Sequence, residues 1–146
     1  MKISTKGRYG LRILMDLALH QSDKPRLIRD IAKSQQISEK YISRLVIALR
    51  KAGMIRSVRG VNGGFHLAMK PEDITLLDVI EVMEGPLSIV DCVSAPKKCK
   101  LSPNCAPREV WCKLNGDIRD LMRKTSLSDI LASYDRQNRQ FTDYCI

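Results

Sequence analysis

The sequence has no apolar run approaching the roughly 18–20 residues that a bilayer-spanning helix needs. Its opening stretch, Met1 to Asp16, interleaves Lys and Arg with apolar residues and lacks the apolar core and small-residue cleavage site of a secretory signal. A cytoplasmic protein with no membrane partner is therefore expected. Histidine is scarce, with only His20 and His66 present. There is no Cys-x-x-Cys pair, and no Ser–His–Asp or paired-carboxylate constellation can be placed. These absences argue against a hydrolase or a thiol oxidoreductase, and an enzyme is not expected. Internal repeats and low-complexity tracts are also missing.

What is present is a basic globular chain. Its 146 residues suit one domain, or one domain with an appendage, and 44% of them are hydrophobic. Lys and Arg number 25 against 16 Asp and Glu, a net charge of +9 that favours a polyanionic partner. Five cysteines are an odd number, and three of them, Cys92, Cys99 and Cys105, share one short window. Without a secretory signal, closely spaced thiols point to a metal or redox site rather than to disulfides.

Hydrophobic periodicity divides the chain. A first helix is predicted from about Arg8 to His20, capped by Thr5, with Leu11, Leu14, Met15 and Ala18 on one face. A second runs from about Ile28 to Ser34, with Ile28, Ile31 and Ala32 inward. Ser38 is a natural N-cap for a third, whose buried stripe is Ile42, Leu45, Val46 and Leu49. Gly53 stands where a left-handed C-terminal residue belongs. The period then changes to that of strands, Ile55–Arg59 and Phe65–Ala68, around the turn-forming stretch Gly60–Gly64. Thr75 and Asp78 form a capping-box pattern before a helix from about Leu76 to Glu84. Residues 87–107 hold three prolines and the cysteine trio, and read as a loop without regular structure. A long helix follows from about Glu109 to Lys124, with Val110, Trp111, Leu114, Ile118, Leu121 and Met122 on its apolar face. A short last helix opens at Ser126, and the polar tail from Asp135 is expected to be loose.

Three helices and a two-stranded hairpin are the element order of a winged helix-turn-helix. The fold class is therefore mainly α, with a β-wing, a cysteine-bearing loop and a long dimerisation helix. Residues 1–84 would form the DNA-binding domain, 85–108 the loop, and 109–146 the dimerisation helix and tail. The third helix is the candidate reader of the major groove of double-stranded DNA, through Glu39, Lys40, Tyr41, Ser43 and Arg44. On the wing, Arg56, Arg59, Asn62 and Gly63 are candidates, because small residues allow close approach and arginine suits a narrow minor groove. Lys2, Lys6, Arg8 and Arg12 add charge where phosphates would be met.

The stretches Met1–Tyr9, Ile37–Tyr41, Leu49–Gly53 and Val58–Gly64 resemble the IscR iron–sulfur cluster regulators. They belong to a winged-helix family that also includes the nitric-oxide sensor NsrR and the cysteine regulator CymR. The likeness runs from Met1 to about Leu131. It implies a homodimer held by the long helix, and a [2Fe–2S] cluster on Cys92, Cys99 and Cys105. It also implies control of cluster-assembly genes, with cluster-assembly proteins as donors. Thiolates are the ligands such clusters take, although a structural zinc ion would accept them too. The fourth ligand departs from the family. The histidine expected three residues after Cys105 is Arg108, which stays protonated, and the acidic residue used by NsrR-like chains is Arg8. Cys112, Glu109 or a residue from across the dimer remain open. Cys112 is equally readable as an inert buried thiol, and Cys145 as a bystander. A glutamate on the recognition helix of the cluster regulators is replaced here by Ser43, which implies a different dependence of site choice on the cluster. The competing reading is a winged-helix regulator tuned by a partner enzyme, by thiol oxidation or by nitric oxide, although CymR-like chains lack the trio.

Overall fold

A computed structural model describes residues 3–143. The first helix, α1 (Thr5–Leu19), lies at the centre of the N-terminal unit, and its Ile13, Leu14 and Leu17 are buried. Leu11, Met15 and Ala18 pack at the edges of that core. The helix starts earlier than its apolar spacing suggests, because Ser4 rather than Thr5 is the N-cap and accepts from the Lys6 amide at 3.1 Å. No acidic residue occupies its own first turn. Glu84 supplies the missing charge from 80 residues away. One carboxylate oxygen accepts from the amides of Ser4 and Gly7 at 2.8 and 3.2 Å, and from the Ser4 hydroxyl at 3.0 Å.

The helix-turn-helix comprises α2 (Ile28–Gln35) and α3 (Glu39–Lys51), joined at Gln36, which takes a left-handed φ of 55°. Ser38 caps α3 by accepting from the Tyr41 amide at 3.3 Å. The predicted stripe of Ile42, Leu45, Val46 and Leu49 is buried. The wing pairs β1 (Ile55–Val58) with β2 (Gly64–Leu67), antiparallel, with Ile55 opposite Leu67 and Val58 opposite Gly64. Arg26 adds a bridge at the outer side of β2, exchanging both backbone hydrogen bonds with Phe65 at 2.9 Å. The wing glycines are needed chiefly for space. A Cβ on Gly64 would lie 2.4 Å from the Arg26 carbonyl oxygen, and one on Gly63 would lie 2.4 Å from that of Val58. Within the turn, positive φ is confined to Gly60, at 117°.

The capping box forms as predicted on α4 (Leu76–Glu84). Residues 87–107 depart from the expected irregular loop. They contain a one-turn helix, α5 (Asp91–Ser94), and two 3₁₀ turns, Pro96–Lys98 and Ser102–Asn104. Each 3₁₀ turn carries proline in its first positions, where the ring presets φ and the missing amide proton costs nothing. The same reason moves the start of α6 (Ala106–Lys124) ahead of the expected Glu109, since Pro107 lies in its first turn.

The last helix, α7 (Leu127–Asp143), corrects the loose-tail expectation. Ser126 and Asp129 bond reciprocally at its start, with amide contacts of 2.8 and 3.1 Å. The Ser126 hydroxyl, donating at 2.6 Å, and the Ser126 amide together hold the Asp129 carboxyl below its ordinary range. Leu127 enters the main core, and the Leu127 and Leu76 amides tie the α6–α7 junction to the start of α4 at 2.8 Å. Among the described residues, no helix is long and apolar enough to cross a membrane.

Candidate nucleic-acid interface and cysteine segment

One buried carboxylate ties α1 to α2 and to the residue that braces the wing. Asp16 is wholly inaccessible. It accepts from Arg26 Nε at 2.9 Å, from Gln35 Nε2 at 3.2 Å and from the Ser34 hydroxyl. Burial pushes its pKa up. The hydrogen bonds from Arg26, Ser34 and Gln35, with the Arg26 charge, outweigh that push and hold it below the usual value. Arg26 also carries the backbone bridge to Phe65, so it links α1 to the wing, while Ser34 and Gln35 tie α2 to the same carboxylate.

On this frame α3 turns an outward face opposite its buried stripe. Glu39, Lys40, Ser43 and Arg44 are exposed there, as the sequence predicts. Tyr41 is different. Its ring is half-buried and packs edge-on against Tyr9 of α1, with centroids 5.9 Å apart, while Arg12 stacks over Tyr9 at 5.4 Å. The Ser43 hydroxyl donates to the Glu39 carbonyl at 2.8 Å, leaving its oxygen free to accept. Arg56, Arg59 and Asn62 are exposed on the wing, and Gly63 is half-buried under the turn. A recess of about 210 Å³ lies between α3 and the wing, with Ser43, Ile47 and Arg50 of α3 on one side and Phe65 of β2 on the other. Lys6, Arg8 and Arg12 lie along α1, while Lys2 lies outside the described residues.

Sequence reasoning missed two apolar residues here. Ile47 is 58% exposed on the outward face of α3, and Val61 is fully exposed at the wing tip. Each interrupts a polar surface, which is the signal that could have marked it.

The cysteines occupy the segment between α4 and α6. Cys92 is in α5, Cys99 follows the first 3₁₀ turn, and Cys105 precedes α6. Cys112 is two turns into α6; all four are free and half-buried. Cys145 lies outside the described residues. Among the described residues, no group of three or more His, Cys, Asp or Glu side chains is assembled as a metal site. Glu109 is exposed at the start of α6. Arg108 has a role that its side-chain chemistry allows, since its Nε donates to the Cys92 carbonyl at 3.0 Å. The path out of α4 is held by α6 as well. Asn115 accepts from the Ile89 amide at 3.0 Å, and Arg119 pairs with Glu81, which also accepts from the Leu87 amide at 3.1 Å. Burial pushes the Glu81 carboxyl up, but the Leu87 and Arg119 contacts bring it below its ordinary range. The two histidines lie apart from the thiols. His20 Nδ1 is 2.8 Å from the Asp16 carbonyl, and His66 is paired with Arg56 in the wing.

Beyond this segment, α6 exposes Val110, Trp111, Leu114 and Leu121, while Met122 is buried. An apolar stripe of this kind, left open on a helix, has the character of a contact surface.

Residues 3–133 match the Rrf2 family model, described as an iron-dependent transcriptional regulator. The chain is similar to the HTH-type transcriptional regulator CymR of Bacillus subtilis strain 168, with 36% identity over 99% of both chains. The solved structure of that global cysteine regulator matches with a TM-score of 0.77, covering 91% of this chain and 98% of that one. Protein rrf2 of Nitratidesulfovibrio vulgaris Hildenborough is 42% identical over 87% of this chain and 91% of its own length. The structure of T. potens IscR matches with a TM-score of 0.73 and 36% identity, covering 92% and 88%. CymR and IscR structures thus resemble the chain almost equally, and the likeness fixes the family rather than the branch.

Proposed function

The chain belongs to the Rrf2 family of transcriptional regulators, and on that premise we propose that it acts as a homodimer on double-stranded DNA and adjusts its binding through the cysteine segment. The observation that carries the DNA-reading half is the exposed face of α3 beside the wing, the wing yoked to Asp16 of α1 through Arg26 and α3 packed on the same helix through Tyr41 and Tyr9. Glu39, Lys40, Ser43 and Arg44 would meet base edges, and Arg56, Arg59, Asn62 and Gly63 would meet backbone or minor groove. The Tyr41 hydroxyl would contribute at the margin, its ring being packed on Tyr9. The open stripe of α6 would pair with that of a second copy, setting two recognition helices one helical turn apart or a multiple of it.

For the sensor half, Cys92, Cys99 and Cys105 offer the thiolate set of a [2Fe–2S] cluster, with Cys112 or Glu109 as fourth ligand. The donor chemistry suits the cluster. Their placement requires residues 91–105 to close around it, because no ready-made group of three is present among the described residues. When bound, the cluster would supply a charge and a covalent tie whose loss reorders this segment. Since α6 holds the segment through Arg108, Asn115 and Arg119, such reordering would bias the dimer between competent and incompetent spacings. Cluster-assembly genes are the proposed targets, and cluster-assembly proteins the proposed donors.

Anaerobic reconstitution, visible and Mössbauer spectra, and titration of a duplex selected from a random pool test this. A [2Fe–2S] spectrum with different apo and holo affinities supports it. Equal affinities overturn the sensor half. The likeness to a cysteine regulator, together with the ungathered thiols, favours a second reading, in which a partner enzyme, thiol oxidation or nitric oxide tunes DNA binding. Protein that stays colourless after reconstitution supports that reading.

A further inference from the structure

The outward face of α3 carries one large apolar side chain among charges. At helical spacing, Ile47 lies one turn from Ser43 and from Lys51, and three residues from both Arg44 and Arg50. All four of those neighbours are exposed, and Ile47 itself is 58% exposed. The core has no need of it, since Ile42, Leu45, Val46 and Leu49 already fill the buried stripe. It borders the recess between α3 and the wing, whose remaining walls include the apolar Ile28, Val46 and Phe65.

We propose that Ile47 is a specificity-determining residue that reads a thymine C5-methyl group in the major groove. This deepens the DNA-binding reading and rests on it. The surrounding cations bring the helix to a polyanion, and the face they define then presents a methyl-sized apolar contact to the base edges. Of the four bases, thymine alone offers a methyl group in that groove. Contact with Ile47 removes that methyl from water, which is worth about fourfold in affinity for a single methyl-sized group.

The test begins with a duplex selected by the wild-type protein from a random pool. Each thymine is then replaced singly by uracil, which removes the methyl and leaves base pairing intact. The expected result is one position per half-site where uracil weakens wild-type binding about fourfold and leaves Ile47→Ala unaffected. Ile47→Val should retain part of the effect. Because the residue is exposed, unchanged circular dichroism and melting temperature will show that the variants fold. If wild type and Ile47→Ala tolerate uracil equally at every position, the inference is overturned while DNA binding stands. If no duplex can be selected at all, the DNA-binding reading itself fails, and this inference with it.

Discussion

The winged-helix unit and the segment that follows it solve the packing problem differently. In the first, α1 is surrounded by α2, α3, α4 and β2, and the core runs without a break from Ile13 to Met83. Its buried charge, Asp16, meets three side-chain donors. In the second, only Met122 and the partly buried Ile118 of α6 join Leu77 and Ile80 in a small cluster, and much of the apolar stripe faces outward. The first region is closed by its own elements with one buried contribution from outside, Leu127 of α7, while α6 has its polar backbone tied down but Val110, Trp111, Leu114 and Leu121 left exposed. A regulator needs both kinds of construction: a reader that does not deform, and a neighbouring element whose free energy a ligand or a second copy can change.

The largest test of the contrast is Asp16→Ala, which strips the Arg26 guanidinium, Ser34 and Gln35 of their acceptor. A loss of about 3 kcal/mol of unfolding free energy is expected, read by denaturant titration. A negligible loss would deny the reader its rigid hub. The same carboxylate predicts a pH dependence. Its pKa is lowered on folding, so its contribution is complete above about pH 4 and fades as pH falls through the lowered native value. Asp16→Asn should therefore flatten the acid limb of a stability–pH curve.

Next in size is Gly64→Ala, whose Cβ would collide with the Arg26 carbonyl and lift the wing. About 1–3 kcal/mol of stability should be lost, with weakened duplex binding in a fluorescence anisotropy titration. Leu114→Glu sharpens the other side of the comparison. It puts a charge on the exposed stripe and should weaken self-association by about 2 kcal/mol in sedimentation equilibrium, while the circular dichroism of the folded chain is unchanged. The smallest effect is expected for Glu84→Gln, which keeps an acceptor at the start of α1 but removes its charge, costing about 0.5–1 kcal/mol in thermal unfolding.

The two regions were also unequally legible. The stripe Ile42, Leu45, Val46 and Leu49 and the Thr75–Asp78 box are local patterns, so spacing alone reveals them. Asp16 looks like a polar interruption of an apolar face until Arg26 and the end of α2 fold against it. The Glu84 cap links residues 80 positions apart and leaves no local trace. In the wing, the glycine run is plain in the sequence, but the requirement at Gly63 and Gly64 is the approach of another backbone rather than a positive φ, and no dihedral pattern encodes it. The cysteine trio is conspicuous in sequence, yet spacing says nothing of how prolines at 96, 103 and 107 convert the expected coil into short turns and an earlier helix. The polar stretch after Asp135 is helical as far as Asp143, because polarity alone does not unmake a helix and the run continues from a well-capped start at Ser126.

Arg26 grips Asp16 with its side chain and Phe65 with its backbone. With α3 packed on that same α1 through Tyr41 and Tyr9, α3 and the wing form a caliper set at one opening before any duplex arrives. Little ordering entropy is surrendered in the jaws on contact, so affinity is spent on matching the groove rather than on assembling the tool. If two copies join through α6 as proposed, the gap between their calipers is the one quantity left for the cysteine segment to adjust.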